Sequence, residues 1–323
     1  MIEVEGLTQV FGHKTAVDDV SFTVRPGAVT GLLGPNGAGK STTMRMIVGL
    51  DRPVAGTVRV NGRDFRRSER PLHELGALLD PAAVHPGRAG RVHLRALAMT
   101  NGIPRTRVDE VLRLTGMTEA ASGRVGTYSL GMRQRLGIAA ALLGDPQVLV
   151  LDEPVNGLDP DGVHWVRELM KALAAAGRTV LVSSHLMSEM ALTADHLVVM
   201  GRGRLITQGP VSDVIAEATQ SDVLVRTPQA DELASALAEA GAATRRAPDG
   251  ALIVANATAR RVGELAASHA IVLYELTPQQ GSLEDAFLAL TKDDQEYASG
   301  PTDPAGGTAV DPAAGRAQDG AGR

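Results

Sequence analysis

One run of residues has the types and spacing needed to hold phosphate groups. Residues 34–41 follow the pattern G-x-x-x-x-G-K-S, between an apolar run at Val29–Leu33 and a segment with helical character through about Leu50. Glycines let successive N–H groups face one anion, and the helix adds its positive N-terminal end. Lys40 would contact the β- and γ-phosphates of a nucleotide, and Ser41 would offer a hydroxyl to Mg²⁺. The run and its next residue are Gly34, Pro35, Asn36, Gly37, Ala38, Gly39, Lys40, Ser41 and Thr42.

Two carboxylates follow a second apolar run. Val148–Leu151 predicts a buried strand, and Asp152 and Glu153 come directly after it. In a parallel α/β sheet, ligands bind at the carboxyl ends of the strands. Asp152 is expected to hold Mg²⁺ through water, and Glu153 to polarise or deprotonate an attacking water. Taken alone, the pair fits equally well two acidic residues that follow a strand only because the chain becomes exposed to solvent there. The presence of the phosphate loop favours the catalytic interpretation.

The segment 128–139 predicts a loop that ends at a serine cap, Ser129, and opens an amphipathic helix. A serine hydroxyl and free backbone N–H groups at a helix start form an anion site. Taken alone, the segment is more typical of an ordinary capped helix.

A parallel sheet is needed to position these residues. Further apolar strands are predicted at 179–183 and 196–200, with a helix at about 162–176 between strands, and residues 1–30 are β-rich. Residues 88–143 predict mostly helix, with breaks at Gly102/Pro104 and around 123–127. Because continuous apolar strands alternate with helices, the expected fold class is α/β, with helices on both faces of the sheet.

Composition excludes several classes of protein. The chain has 323 residues, 32 Lys and Arg against 37 Asp and Glu, and a net charge of −5, which argues against a dedicated nucleic-acid binder. The absence of cysteine excludes disulfides and thiolate metal sites. No apolar run approaches the ~20 residues needed to span a bilayer, and the first residues predict a strand and not a signal peptide. We therefore expect a chain that stays in the cytosol, with any membrane connection made through a partner.

The pattern changes after Pro210. Strands at 223–225, 252–254 and 271–276 alternate with helices near 231–240 and 258–268, which indicates a small α+β unit in the split βαβ order of ferredoxin-like folds. A short helix at 283–290 is expected to close this unit. We interpret the role of the whole unit as dimer support or regulation. From Thr291 the composition predicts a disordered tail. The predicted domains are 1–215, 220–290 and 291–323.

Residues 1–215 resemble the ABC ATPase domain, a P-loop NTPase with a helical signature subdomain. Five motifs occur in that family's order: the phosphate loop, 128–132 as its signature loop, the LVLDEP strand, 156–160 as its D-loop, and Ser183–His185 as its switch. The resemblance implies that Phe11 stacks on adenine and that His185 contacts the γ-phosphate and helps position water. Taken alone, Phe11 also fits simple packing, and His185 fits a strand-end histidine without a special role.

The resemblance also implies a homodimer with two-fold symmetry. Ser129 and Gly131 of one protomer would close over ATP in the phosphate loop of another, with Asp159 in the D-loop. The sequence departs from the family pattern at Leu130 and Met132 of the signature loop. It also has Asp80 where the family's Q-loop glutamine is expected, and the role of this carboxylate stays open.

Residues 80–83, 128–135 and 282–288 are similar to exporter ATPases of the daunorubicin- and bacitracin-resistance type. That resemblance implies a separate polytopic membrane permease, drug or antibiotic efflux, and a place at the cytoplasmic face of the cell membrane. Three alternatives stay open: a soluble ABC ATPase acting on nucleic acid or the ribosome, an exporter of lipid or polysaccharide, and a regulatory protein with a decayed site. The negative net charge argues against the first alternative. The last is opposed by the presence of Lys40, Ser41, Asp152, Glu153 and His185.

Overall fold

A computed structural model of the chain describes residues 1–218, 222–255, 257–279 and 281–292. The strands are β1 (Ile2–Phe11), β2 (Lys14–Val24), β3 (Val29–Leu33), β4 (Ala55–Val60), β5 (Leu75–Leu78), β6 (Val148–Leu151), β7 (Thr179–Ser183), β8 (His196–Gly201), β9 (Arg204–Pro210), β10 (Asp222–Arg226), β11 (Thr244–Arg246), β12 (Leu252–Val254) and β13 (Glu275–Gln279). The helices are α1 (Lys40–Ile47), α2 (Pro71–Glu74), α3 (Gly90–Thr100), α4 (Arg105–Leu114), α5 (Leu130–Leu142), α6 (Pro160–Ala175), α7 (Met187–Thr193), α8 (Val211–Ala218), α9 (Ala230–Glu239), α10 (Ala259–Ser268) and α11 (Leu283–Thr291).

A six-stranded sheet in the order β5-β6-β7-β3-β8-β9 forms the centre of the first unit. Neighbouring strands run parallel except at the edge, where β9 pairs antiparallel with β8. Alternate residues of β6 lie in different hydrophobic clusters, Leu149 and Leu151 in one and Val148 and Val150 in the other. Both faces of the sheet are therefore buried, which explains the continuous apolar strands and confirms the predicted α/β class.

A three-stranded antiparallel sheet, β2-β1-β4, covers one of these faces. Ile2, Val4 and Leu7 are the buried apolar residues of β1, and they join the cluster that also holds Met44 and Ile47 of α1. This packing fixes α1, and with it the phosphate loop, between two sheets.

The predicted helical region contains α3, α4 and α5, and both predicted breaks are present. Leu94, Leu112 and Leu136 bring one buried side chain from each helix into the core. The loop before α5 is fastened by the Tyr128 hydroxyl, which donates to the carbonyl of Ala120 at 2.6 Å.

The C-terminal sheet has the order β11-β12-β10-β13, and all its pairs are antiparallel. With α9 after β10 and α10 after β12, this is the ferredoxin-like split βαβ arrangement predicted from the sequence. The predicted strand at 271–276 is wrong in its start, because β13 begins at Glu275. Residues 269–271 instead end α10 in a Schellman motif: Ala270 has φ +54°, and the Ile271 N–H donates to the Ala266 carbonyl at 2.9 Å.

The last helix does not close the C-terminal unit as expected. Leu283 belongs to the hydrophobic cluster of the first unit, and Phe287 and Leu290 pack against the same cluster. Helix α11 lies against α7 and α8. The apolar pattern of this helix predicted that it would be buried but did not identify its partner.

The predicted tail, 291–323, lies outside the described residues from 293 onward. Within the described part, no helix combines the length and the apolar character needed to cross a membrane.

Candidate nucleotide site

The phosphate loop connects the buried strand β3 to the first residue of α1. Gly39 precedes that helix with φ +96°, and a Cβ atom there would come within 2.5 Å of the Ala16 carbonyl oxygen. Only glycine suits both the backbone angle and the close approach. The pattern of the loop is thus a consequence of how tightly it is held against β2.

Lys40 is enclosed by the loop that it terminates. The residue is only 9% exposed, and Nζ donates to the carbonyls of Gly34 at 2.6 Å and Pro35 at 3.2 Å. Burial lowers the pKa of Lys40, while the charges of Glu153 and Asp152 act in the opposite direction. The ammonium group is therefore fixed beside the cavity that the loop borders.

A cavity of about 560 Å³ opens over the loop, a volume typical of small-molecule sites. It brings Asp152 and Glu153 together with the predicted loop residues Asn36, Gly37, Ala38, Gly39, Lys40, Ser41 and Thr42. Its remaining lining residues are Lys14, Ala16, Leu79, Pro81, Leu130, Gln134 and Asn156. Gly34 and Pro35 do not line the cavity; their carbonyls accept from Lys40.

Ser183 organises the acidic pair, a contact that sequence reasoning missed. Its hydroxyl donates to Asp152 Oδ1 and accepts from the Glu153 N–H at 3.0 Å. The parallel register pairs Leu151 with Val182, so the residues that follow these two are neighbours. A hydroxyl residue at the last position of a buried strand was the only sequence signal for this role.

Glu153 adopts a backbone conformation that is rare outside glycine, with φ +48°. The carboxamide of Gln134 donates to its carbonyl at 3.1 Å. Oε2 of the Glu153 carboxylate lies 2.8 Å from Nδ1 of His185 and accepts from the His185 N–H at 3.3 Å. A half-buried carboxylate paired with an imidazole can accept and hand on a proton.

Several predicted site residues lie away from the cavity lining. The hydroxyl of Ser129 caps α5 by accepting from the Met132 N–H at 3.2 Å, as predicted, and Gly131 beside it is buried. Asp159 caps α6 by accepting from the Gly162 N–H at 3.0 Å. Phe11 is 52% exposed at the end of β1.

The exposed Asp80 carboxylate accepts from the Ala82 N–H at 2.7 Å. Its neighbours Leu79 and Pro81 line the cavity, but Asp80 itself does not. A local turn therefore engages this carboxylate beside the cavity, outside its lining.

The donors at the cavity fit Mg²⁺, which prefers hard oxygen ligands and keeps several waters. Ser41 offers a hydroxyl and Asp152 a carboxylate. The part of the chain that the structure describes contains no cluster of three or more His, Cys, Asp or Glu side chains that could hold a metal ion. A cation here would share its coordination with water and a nucleotide.

The fold and this cavity define a P-loop nucleotide-binding protein. A sequence-family model described as "ABC transporter" matches residues 17–156, and one described as a domain of unknown function matches residues 221–284. The chain is 38% identical over 300 residues to YhcH of Bacillus subtilis (strain 168), an uncharacterized ABC transporter ATP-binding protein, covering 92% of this chain and 97% of YhcH.

The bacitracin transport ATP-binding protein BcrA of Bacillus licheniformis is 38% identical over 213 residues, which are 65% of this chain and 70% of BcrA. A solved structure of the ATP binding subunit of an ABC transporter matches with a TM-score of 0.62 at 28% identity, covering 67% of this chain and 92% of that one. The chain therefore belongs to the family of ABC transporter ATP-binding proteins, and it is an ATP-hydrolysing subunit of a transporter.

Proposed function

We propose that two copies of this chain enclose two ATP molecules head-to-tail and thereby drive a separate membrane permease that exports an antibiotic or a similar compound. The observation that carries the proposal is the cavity itself. One chain contributes the phosphate loop, Asp152 and Glu153, whereas Ser129 and Asp159 lie outside the lining. Ser129 is exposed at the start of α5, beside Leu130 of the lining, and is thus available to the nucleotide of a second copy.

Each residue at the cavity has a role in this proposal. Backbone N–H groups of the loop and the Lys40 ammonium bind the phosphates, and Ser41 and Asp152 hold Mg²⁺, which neutralises phosphate charge when bound. Glu153 accepts a proton from the attacking water. His185 orients the Glu153 carboxylate, to which it is hydrogen-bonded, and contacts the γ-phosphate.

Phe11 is proposed as the adenine platform. Its ring is exposed in a chain with only 2% aromatic residues, and it ends the strand that precedes Lys14 and Ala16 of the cavity lining. An exposed aromatic face gains contact area by stacking on a base.

The export part of the proposal rests on similarity to BcrA, whose name assigns it to bacitracin transport. By this analogy, the chain binds a polytopic permease at the cytoplasmic face of the cell membrane. The transported compound contacts the permease. The residues described here therefore determine ATP hydrolysis and not which compound is transported.

The test is the variant Glu153→Gln in the full chain. Because the amide cannot accept the proton, we expect ATP to be retained and a dimer to accumulate at saturating ATP, while turnover falls by about a thousandfold. Light scattering measures the mass, and phosphate release measures the rate.

Glu168→Gln, an exposed carboxamide substitution on α6, is the matched control and should behave like the unmodified chain. Phosphate release at the normal rate from Glu153→Gln, or a monomer with bound ATP, would contradict the proposal.

A further inference from the structure

Helix α11 has a fixed start and a single buried face, as expected of a helix that packs against a neighbouring core. Ser282 and Asp285 form a capping box, in which the hydroxyl accepts from the Asp285 N–H at 3.0 Å and the carboxylate accepts from the Ser282 N–H at 3.1 Å. This box fixes where the helix begins. Leu283 and Ala286 are buried one turn apart on one face, whereas Leu288 on the opposite side is 56% exposed.

The buried face of α11 meets the nucleotide-binding unit and not the C-terminal sheet. Leu283 lies in the same hydrophobic cluster as Met190 of α7 and Val214 of α8, and Phe287 packs against that cluster. The chain thus leaves the first unit after α8, forms the ferredoxin-like unit, and returns to the same surface through α11.

Helix α11 packs more extensively against α8 than against α7, but α7 is the one of the two that follows the loop carrying His185. Helix α7 has only seven residues, and an isolated helix of that length is not stable in water. Its order depends on packing, to which α11 contributes, and on an ion pair between Arg167 of α6 and Glu189 at 3.5 Å.

The loop before α7 carries His185. Leu186 is the cap residue of α7, and its N–H donates to the Ser184 hydroxyl at 3.0 Å. His185 lies between these two residues, so the position of α7 determines where the imidazole meets Glu153.

We propose that α11 positions His185 by holding α7 in place, so that Phe287 and Leu283 support ATP hydrolysis from outside the site. The inference rests on the role proposed above for His185. It gives the helix that follows the C-terminal unit a defined action on the site.

The test compares Phe287→Ala with Leu288→Ala in the full chain. Phe287→Ala should lower kcat for ATP on the order of tenfold to a hundredfold with KM changed by less than about twofold, because a small misplacement of a positioned group reduces the rate without removing binding contacts. Leu288→Ala, on the exposed side of the same helix, should leave both constants unchanged, and Phe287→Leu should restore most of kcat.

A double-mutant cycle with His185→Ala identifies the route. If α11 acts through His185, Phe287→Ala has no further effect on kcat once the imidazole is gone. Equal losses with and without His185, or no loss from Phe287→Ala, would overturn the inference while leaving the proposed function intact. An unchanged kcat in His185→Ala alone would instead overturn the proposed role of His185 and the inference with it.

A measurement that does not depend on catalysis keeps the inference testable if Phe287→Ala does not fold. The chain has no cysteine, so Ser188→Cys places a single spin label on the exposed side of α7. We expect a more mobile label in Leu290→Ala, a smaller truncation on the side of α11 that packs against the first cluster, than in Leu288→Ala. Equal mobility in the two variants would refute a link between α11 and α7.

Discussion

Glu153 is held by contacts from three residues, two at the end of β7 and in the loop after it and one on α5. Ser183 of β7 accepts from its N–H, Gln134 of α5 donates to its carbonyl, and His185 contacts its carboxylate. A non-glycine residue at φ +48° persists only where its surroundings enforce that conformation. The carboxylate is therefore oriented before any nucleotide binds.

Gln134 provides the first prediction at this scale. The residue is 2% exposed, and its Oε1 is buried without a hydrogen-bond partner in the described structure. Gln134→Leu keeps the side-chain volume but removes the donor to the Glu153 carbonyl, so we expect kcat for ATP to fall about tenfold or more with little change in KM. Steady-state phosphate release measures both constants.

The matched control is Gln147→Leu, because Gln147 is exposed. If Gln134→Leu hydrolysed ATP as fast as this control, the carboxamide would have no part in holding Glu153.

The phosphate loop was predictable because its strand, turn and helix are contiguous in sequence. The contacts of Ser183 and Gln134 were not, since they depend on the register between β6 and β7 and on the packing of α5. The local turn at Asp80 follows from an Asp side chain accepting from the N–H two residues on. Sequence alone placed this residue beside the site but did not give the direction of its side chain.

At the scale of elements, α3 carries a histidine, His93, whose protonated form is disfavoured by its surroundings. His93 is half-buried, and its Nδ1 has no hydrogen-bond partner within the described residues. Burial lowers the pKa of His93, and the charge of Arg88 lowers it further. The folded chain therefore favours the neutral imidazole.

This arrangement predicts a pH-dependent loss of stability. The unfolded chain binds a proton near the ordinary histidine pKa of 6.5, whereas the folded chain resists protonation of His93, so the free energy of unfolding falls as pH drops below that value. Urea unfolding from pH 8 to pH 5.5 should show a smaller decrease in the midpoint for His93→Asn than for the unmodified chain.

His13→Asn is the control for this prediction, because His13 is exposed in the turn after β1. An identical pH dependence in His93→Asn and in the unmodified chain would contradict the assignment to His93.

Amphipathic patterns identified the helices of the C-terminal region but not their packing. The pattern of α11 indicates one apolar face, which fits the core of either unit equally well. The apolar Ile271 predicts the start of a strand, whereas in the structure it is the hydrophobic residue of a helix-ending motif. In both cases tertiary contacts decide between two locally acceptable structures.

At the scale of the molecule, the central sheet separates two hydrophobic clusters, and the candidate site lies where the strands β3, β6 and β7 end. The C-terminal unit has its own core, formed by residues such as Val225, Leu233 and Val262. Helix α11 belongs to the first core, although it follows the C-terminal unit in the sequence.

The net charge of −5 bears on how the protein reaches a membrane. Anionic lipid headgroups attract clusters of basic residues, and an acidic protein gains no such attraction overall. We therefore expect the chain to sediment with membranes only when its permease, sought among polytopic proteins encoded beside it, is co-expressed. Washing at high salt should not release it from the permease, since a contact with a buried apolar centre is only weakly screened.

Compounds recognised by the permease should then raise phosphate release from the assembled complex, and the same complex with Glu153→Gln should give no rise. Sedimentation with lipid vesicles in the absence of the permease, or a permease-independent response to the compounds, would contradict a transporter whose membrane contact and cargo recognition both belong to the partner.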